Sequence, residues 1–290
     1  MTTHRPHRQL RDRAARLATT VLLTIGLGVG AVAVASPAHA DEIGSAPTAA
    51  TITGNGSFAT ASTSVSSPSG FRGGQVYYPS TAGTYPVIAV VPGYLSYWSS
   101  ISWLGPRLAS WGFVVVGIET NSIYDQPASR GSQLRAALTW AVNTSPTTVR
   151  SRVDANRQGV AGWSMGGGGS LEALKADTSG RIKAAVPMAP WNSDQSWPEV
   201  TESVAIVGGQ SDSVAPVSSH SIPFYNSLAG PKSYVELAGA SHFFPNSDNP
   251  SLSRMIVSWF KRWINNDTRF TTFTCGFTGS AISSFRTNAC

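Results

Sequence analysis

Residues 159–169 read Gly159-Val160-Ala161-Gly162-Trp163-Ser164-Met165-Gly166-Gly167-Gly168-Gly169, an apolar run that stops on a serine and continues into glycine. The run from Arg157 to Trp163 has strand length, and Ser170-Leu171-Glu172-Ala173-Leu174-Lys175 is built of helix formers. The order is strand, tight turn, helix, with Ser164 at the turn. Gly162 and Gly166 flank it in a GxSxG spacing, where a side chain at either glycine would collide with the neighbouring strand or helix. A serine held this way is lifted clear of the sheet, and the unpaired N–H groups that open the helix face charge developing on a bound carbonyl oxygen. Met165 is placed to supply one of them. In a chain with 28 glycines the spacing alone also fits an ordinary turn. The strand before it and the helix after it favour a nucleophile.

Outward from this turn the pattern repeats. Gly74 to Tyr78 reads as a strand, and Pro86 to Val91 is a continuous apolar run of the kind buried on both faces. A helix over Ser99 to Ser110, interrupted by Gly105-Pro106, leads to strand Phe113 to Glu119 and helix Ser132 to Val142. Beyond the serine come strands Ala184 to Pro190 and Ser203 to Gly209, helix Ser219 to Leu228, strand Ser233 to Leu237 and helix Ser251 to Ile264. Such alternation predicts an α/β fold, a mostly parallel sheet with helices on both faces and its ligand site beyond the carboxyl ends of the strands.

A serine nucleophile needs a base. His4, His7 and His39 lie in the N-terminal segment discussed below, leaving His220 and His242. His220 opens a predicted helix, where a surface or capping role is expected; His242 follows strand Ser233 to Leu237 in a loop at the expected site edge and is preferred. With the chain order serine, acid, histidine, the acid falls between 164 and 242. Asp177, Asp194 and Asp212 lead, with Glu172, Glu199, Glu202 and Glu236 behind them. Asp212 is preferred because it directly follows strand Ser203 to Gly209, at the same sheet edge as Ser164. The plain alternative is a turn or capping aspartate.

The second oxyanion donor is expected from the loop after Val91, where Pro92 has no N–H and the Tyr94 backbone does. Tyr94 and Trp191 share that edge and suit an apolar or aromatic acyl group, unless Trp191 is simply core. Only about a dozen residues join Pro190 to Ser203, too few for a helical lid. The serine is therefore expected to be open to solvent, as suits a large substrate.

Residues 1–40 combine Arg5, Arg8, Arg11, Arg13 and Arg16 with an apolar run from Leu17 to Ala35 and the small-residue ending Ala38-His39-Ala40. They read as a cleaved export signal rather than a retained membrane anchor. Without these five arginines and Asp12, the net charge of +6 falls to +2. No basic cluster remains to neutralise a row of phosphates, so nucleic acid is not an expected partner. Residues 41–66, rich in Ser, Thr, Ala and Gly, read as a lead, and 67–290 as one domain. In an exported chain Cys275 and Cys290 are most simply a disulfide across the C-terminal tail, worth about 3 kcal/mol.

The chain resembles the bacterial cutinases and polyester hydrolases, from about residue 65 onward. The resemblance rests on Val91-Pro92-Gly93-Tyr94, Trp103-Leu104-Gly105-Pro106, the run Gly162 to Gly169, Met188-Ala189-Pro190-Trp191, Asp212-Ser213-Val214-Ala215-Pro216-Val217, Ala240-Ser241-His242-Phe243 and Asn266-Asp267-Thr268-Arg269-Phe270. It implies an α/β-hydrolase fold without a cap, a triad of Ser164, Asp212 and His242, and oxyanion donors at Tyr94 and Met165. It also implies an acyl-binding wall at Trp191, the Cys275–Cys290 disulfide, and a secreted monomer acting on polyester or lipid-like esters. Gln210, Ala238 and Asn266 stand where calcium-binding relatives carry carboxylates, so no metal and no cofactor is expected. A general short-chain esterase or triacylglycerol lipase is the nearest alternative. A catalytically silent binding protein on the same fold is the alternative from another class.

Overall fold

The computed structural model describes residues 42–66 and 68–290; the expected export signal lies outside them. In chain order the elements are β1 (Thr60–Val65), β2 (Gly73–Pro79), β3 (Tyr85–Val91), α1 (Leu104–Ser110), β4 (Val114–Glu119), α2 (Pro127–Asn143) and α3 (Thr147–Arg150). They continue as β5 (Val153–Trp163), α4 (Met165–Lys175), β6 (Ile182–Met188), β7 (Ser203–Gly209), α5 (Ser221–Ser227), β8 (Lys232–Leu237), α6 (Pro250–Ile264), α7 (Thr271–Thr274) and β9 (Ile282–Thr287). The strands form one sheet in the order β1-β2-β4-β3-β5-β6-β7-β8-β9. From β4 through β8 neighbours are parallel, while β1, β2 and β9 pair antiparallel at the edges. This is the mostly parallel sheet that the alternation predicts, in the α/β-hydrolase arrangement that the resemblance implies.

The unbroken apolar strands follow from burial on both sides. In β3, Val87, Ala89 and Val91 join one core with Leu134, Ala137 and Leu171 of α2 and α4. Ile88 and Val90 join the other with Leu108 of α1 and Met255 and Trp259 of α6. Each such valine, leucine, isoleucine or methionine side chain, fully buried, contributes about 1.5–3 kcal/mol.

Several boundaries move. The helix expected over Ser99 to Ser110 is a 3-10 turn, Trp98–Ile101, followed by α1, because Pro106 fits only the first turn of an α-helix. α2 begins at Pro127 rather than Ser132, with the proline again at its start. β6 ends at Met188 because Ala189 adopts φ 40° and turns the chain out of the sheet.

Residues 42–66 are more than a polar lead. Thr60–Val65 extends the sheet, Ile52 is buried, and Phe58 packs edge-on against Tyr85. Arg107 of α1 binds Thr53 O (2.6 Å) and Asn55 Oδ1 (2.9 Å), and Lys261 Nζ donates to Ile43 O at 2.6 Å. The Thr53 and Ile43 carbonyls and the Asn55 side-chain amide are thus paired by tertiary partners that no local pattern reveals. At the other end Cys275 and Cys290 form the expected disulfide, and β9 pairs with β8.

Candidate active site

Ser164 lies between β5 and α4 with φ 59° and ψ −123°, a conformation costing roughly 1–3 kcal/mol for a residue with a side chain. Tertiary bonds hold it there. Its N–H donates to Met188 O at 2.9 Å, and its carbonyl accepts from Trp191 N at 2.9 Å and Gly168 N at 3.1 Å. The glycines are set by close approach: a Cβ on Gly162 would stand 2.2 Å from Gly166 O, and one on Gly166 would stand 2.5 Å from Val91 O. A Cβ on Gly168 would stand 2.2 Å from Trp191 O, and one on Gly169 2.9 Å from the Arg130 Cβ. The glycine run thus lets the loops after β3 and β6 and the helix α2 close around the serine.

The residues preferred from sequence come together. His242 Nε2 is 2.8 Å from Ser164 Oγ, and His242 Nδ1 is 2.7 Å from Asp212 Oδ2. Asp212 Oδ1 accepts from Ala215 N at 2.7 Å and Val214 N at 2.9 Å. Burial alone would raise the Asp212 pKa, but the bonds from His242 and these two amides outweigh it and hold the carboxyl below its ordinary value. An ionised Asp212 can only accept, so the proton of His242 sits on Nδ1 and Nε2 faces the serine hydroxyl as acceptor. All three residues are buried; Ser164 is 7% exposed, so its hydroxyl is at the floor of the site rather than open to solvent as expected. The reason is the packing of the Pro92–Tyr94 loop, where even a Cβ on Gly93 would lie 3.0 Å from the Ser164 Cβ.

The other candidate acids have different tasks. Asp177 closes a turn, accepting from Ser179 and Ile182, and Asp194 and Glu199 pair with Lys175 at 3.1 and 2.7 Å. Glu172 accepts from Asn192, Glu202 from Thr201 N, and Glu236 from Tyr234 and Ser283. His220 precedes α5 without capping it by a side-chain bond. Its ring lies 5.9 Å from that of Trp191 and 5.8 Å from Phe224, wedged beside the half-buried indole. Burial lowers the His220 pKa, against the pull of Asp212.

Met165 is the first residue of α4, and among the described residues neither its N–H nor that of Tyr94 donates a hydrogen bond. Around them the large exposed apolar side chains are Tyr94, Leu95, Tyr97, Tyr124, Val214 and Phe243. Every one lies in a loop that follows the carboxyl end of β3, β4, β7 or β8. Tyr94 and Tyr124 meet edge-on at 5.9 Å. Sequence reasoning missed the supports. Trp163 Nε1 donates to His242 O at 2.9 Å, fixing the histidine loop from the elbow itself. Ser211 N donates to Ala240 O at 2.9 Å and Gly239 N to Gln210 Oε1 at 2.8 Å, lacing the acid loop to the histidine loop. A tryptophan inside the motif was the one available signal for the first.

The Gln210 side-chain Oε1 thus accepts from the Gly239 N–H, Ala238 N donates to Ala281 O, and Asn266 Oδ1 accepts from the cationic Arg262 at 3.0 Å. These neutral groups, one beside a guanidinium, do not make a calcium cage. Among the described residues no group of three or more His, Cys, Asp or Glu converges as metal ligands would.

The family described as PET hydrolase-like matches residues 35–290. The chain is 46% identical over 275 residues to a bis(hydroxyethyl) terephthalate hydrolase of Streptomyces coelicolor, covering 92% of this chain and 86% of that one. It is 44% identical over 286 residues to a cutinase of Thermobifida fusca (95% and 92% covered) and 48% over 211 residues to cutinase 1 of Thermobifida cellulosilytica (72% and 80%). With a match that spans the elbow, the acid loop and the histidine loop alike, the chain belongs to the PET hydrolase-like family.

Proposed function

We propose that this protein is a secreted serine ester hydrolase that cleaves polyesters, cutin and synthetic aromatic polyesters such as poly(ethylene terephthalate), through an acyl-enzyme on Ser164. The observation that carries the reading is the Asp212–His242–Ser164 hydrogen-bond relay set beneath a rim of exposed aromatic side chains.

His242 Nε2 takes the Ser164 proton as Oγ attacks the ester carbonyl, and Asp212 stabilises the imidazolium that forms. The Tyr94 and Met165 N–H groups receive the oxyanion. The tetrahedral intermediate collapses by breaking the carbon–oxygen bond to the alcohol, which leaves with the proton from His242. Water then gives a proton to His242 and attacks the acyl carbon; the bond to Oγ breaks, the acid is released and Ser164 regains its proton. Trp191, Tyr94 and Tyr124 grip the acyl and chain portions by apolar contact. The 14-residue connection from β6 to β7 carries no helix that could close over a polymer.

Residues 1–40 are a signal removed on export, and the mature chain acts as a monomer with no cofactor, metal or nucleic acid. Among the described residues no helix is long and apolar enough to cross a membrane. The relatives' names, for cutin and for a terephthalate diester, support the substrate class. The test is to incubate the mature protein with polyester film and with short soluble esters in parallel. Release of monomers from film, abolished in Ser164→Ala with the fold intact, is expected; turnover retained in that variant would remove the nucleophile. The similarity to a bis(hydroxyethyl) terephthalate hydrolase favours one second reading, an esterase of small esters, which holds if soluble esters are cleaved and film is not.

A further inference from the structure

Arg130, in the first turns of α2, is fully buried, yet among the described residues its guanidinium pairs with no carboxylate. Its three bonds go to backbone carbonyls: Nη1 to Pro92 O at 3.0 Å, Nη2 to Ile123 O at 3.0 Å and Nε to Asp125 O at 2.8 Å. The Asp125 carboxylate forms no ion pair with it, Oδ2 accepting instead from Ser122 N at 2.9 Å and Gln133 Nε2 at 2.8 Å, and its charge only partly offsets the burial that lowers the Arg130 pKa. Burying a cation without a direct ion pair is costly, and its three hydrogen bonds all go to main-chain carbonyls.

Two of these three carbonyls, Pro92 O and Ile123 O, bear on Tyr94. Pro92 O lies on its amino side; on its carboxyl side Leu95 N donates at 2.8 Å to Ile123 O, the oxygen that also receives Arg130 Nη2. Leu95 is held at φ 57°, a left-handed conformation that a leucine does not keep without external support. The Tyr94 N–H is therefore bracketed by two anchor points that end on one planar guanidinium. Gly169 leaves the room for it, since a Cβ there would stand 2.9 Å from the Arg130 Cβ.

We propose that Arg130 is a positioning residue for the oxyanion hole: its fork clamps Pro92 O and Ile123 O and so fixes the direction of the Tyr94 N–H. The proposal rests on the esterase reading above. Lysine, a single-point donor on a flexible stem, cannot bridge the carbonyls in the fork's geometry, so keeping the charge does not keep the function.

Arg130→Lys and Arg130→Gln are compared with Arg254→Lys, a control that loses bonds to Phe273 O and Cys275 O on another part of the molecule. Turnover of p-nitrophenyl butyrate is measured well below each melting temperature, with inhibition by phenylboronic acid, whose tetrahedral adduct on Ser164 places an oxygen in the oxyanion hole. Both Arg130 variants are expected to lose about 10–100-fold in kcat, KM to stay within about twofold, and Ki for the boronic acid to rise about tenfold or more. Arg254→Lys is expected to change only the melting temperature. Wild-type kcat and Ki in folded Arg130 variants overturns the proposal, as does an equal loss in Arg254→Lys, or failure of both Arg130 variants to fold, which leaves a stability role alone. Wild-type protein that turns over no ester removes the esterase reading and this proposal together; wild-type turnover with unaffected Arg130 variants removes only the proposal.

Discussion

The two ends of the parallel strands are built differently. At the carboxyl ends, Ser164 and Ala189 directly after β5 and β6, and Leu95 in the loop after β3, carry positive φ angles, and the exposed tyrosines, Leu95, Val214 and Phe243 gather on the loops after β3, β4, β7 and β8 at that same edge. Near the amino end of β6 the surface is polar, bordering a cavity of about 420 Å³ lined by Arg135, Asp177 and Arg181, and the one positive φ there falls on a glycine, Gly180. The lead and tail, with Arg107, Lys261 and the Cys275–Cys290 disulfide, tie the fold together elsewhere. Strain and exposed apolar surface are costs to folding, and apart from Asn266 after α6 (φ 55°) the chain concentrates them at one edge, where a fixed serine and an apolar rim have a use. Substitutions at that edge should change turnover and leave stability nearly untouched; those in the lead and tail should do the reverse.

The strongest test at the active edge is Asp212→Asn, which keeps the shape but leaves His242 without the anion that orders its tautomer. We expect about a 10⁴-fold loss of kcat on soluble esters at unchanged KM, with a melting temperature close to wild type. A large stability loss would show that the edge carries the fold after all.

On the other side, replacing both Cys275 and Cys290 by serine opens a crosslink with a sequence separation of 15, and should cost about 3 kcal/mol in denaturant unfolding. Turnover at 25 °C should stay within about twofold. A matching fall in kcat would merge the two regions into one.

Lys261 sharpens the comparison most finely. Burial pushes its pKa down to about 7, against the pull of Asp267, with Arg269 and Arg157 adding to the lowering. The unfolded chain holds that proton until about pH 10.4, so between pH 7 and 9 the unfolded state binds more protons and stability rises with pH. A gain on the order of 2 kcal/mol is expected, abolished in Lys261→Met while the rate at fixed pH is unchanged. A pH-independent wild type would show that Lys261 keeps its proton by another route.

The central strands, the elbow and the catalytic candidates were legible because each is a local chemical statement. Val87 to Val91 is apolar without interruption since both faces are covered, and the spacing of Gly162, Ser164 and Gly166 is imposed by atoms within a few ångströms. His242 could be found by elimination among few histidines. β1 and β9 were not legible: Thr60–Val65 and Ile282–Thr287 are short, largely polar or half-exposed, and become strands only because β2 and β8 offer unpaired edges. The packing of residues 42–59 was hidden for the same reason, since Arg107 and Lys261 reach them from far along the chain.

The sequence by itself determined which residue types stand at the ends of which strands, because hydrophobic period and glycine spacing act over a few residues. Tertiary structure decided what holds them: the 2.9 Å bond from Trp163 to His242 O, the tie between the acid and histidine loops, and the buried fork of Arg130. Those partners lie 79 and 38 residues apart for Trp163–His242 and Arg130–Pro92. Hydrogen bonds to backbone carbonyls place no demand on the identity of the residue that accepts them, so they leave no mark in the sequence until the chain has folded.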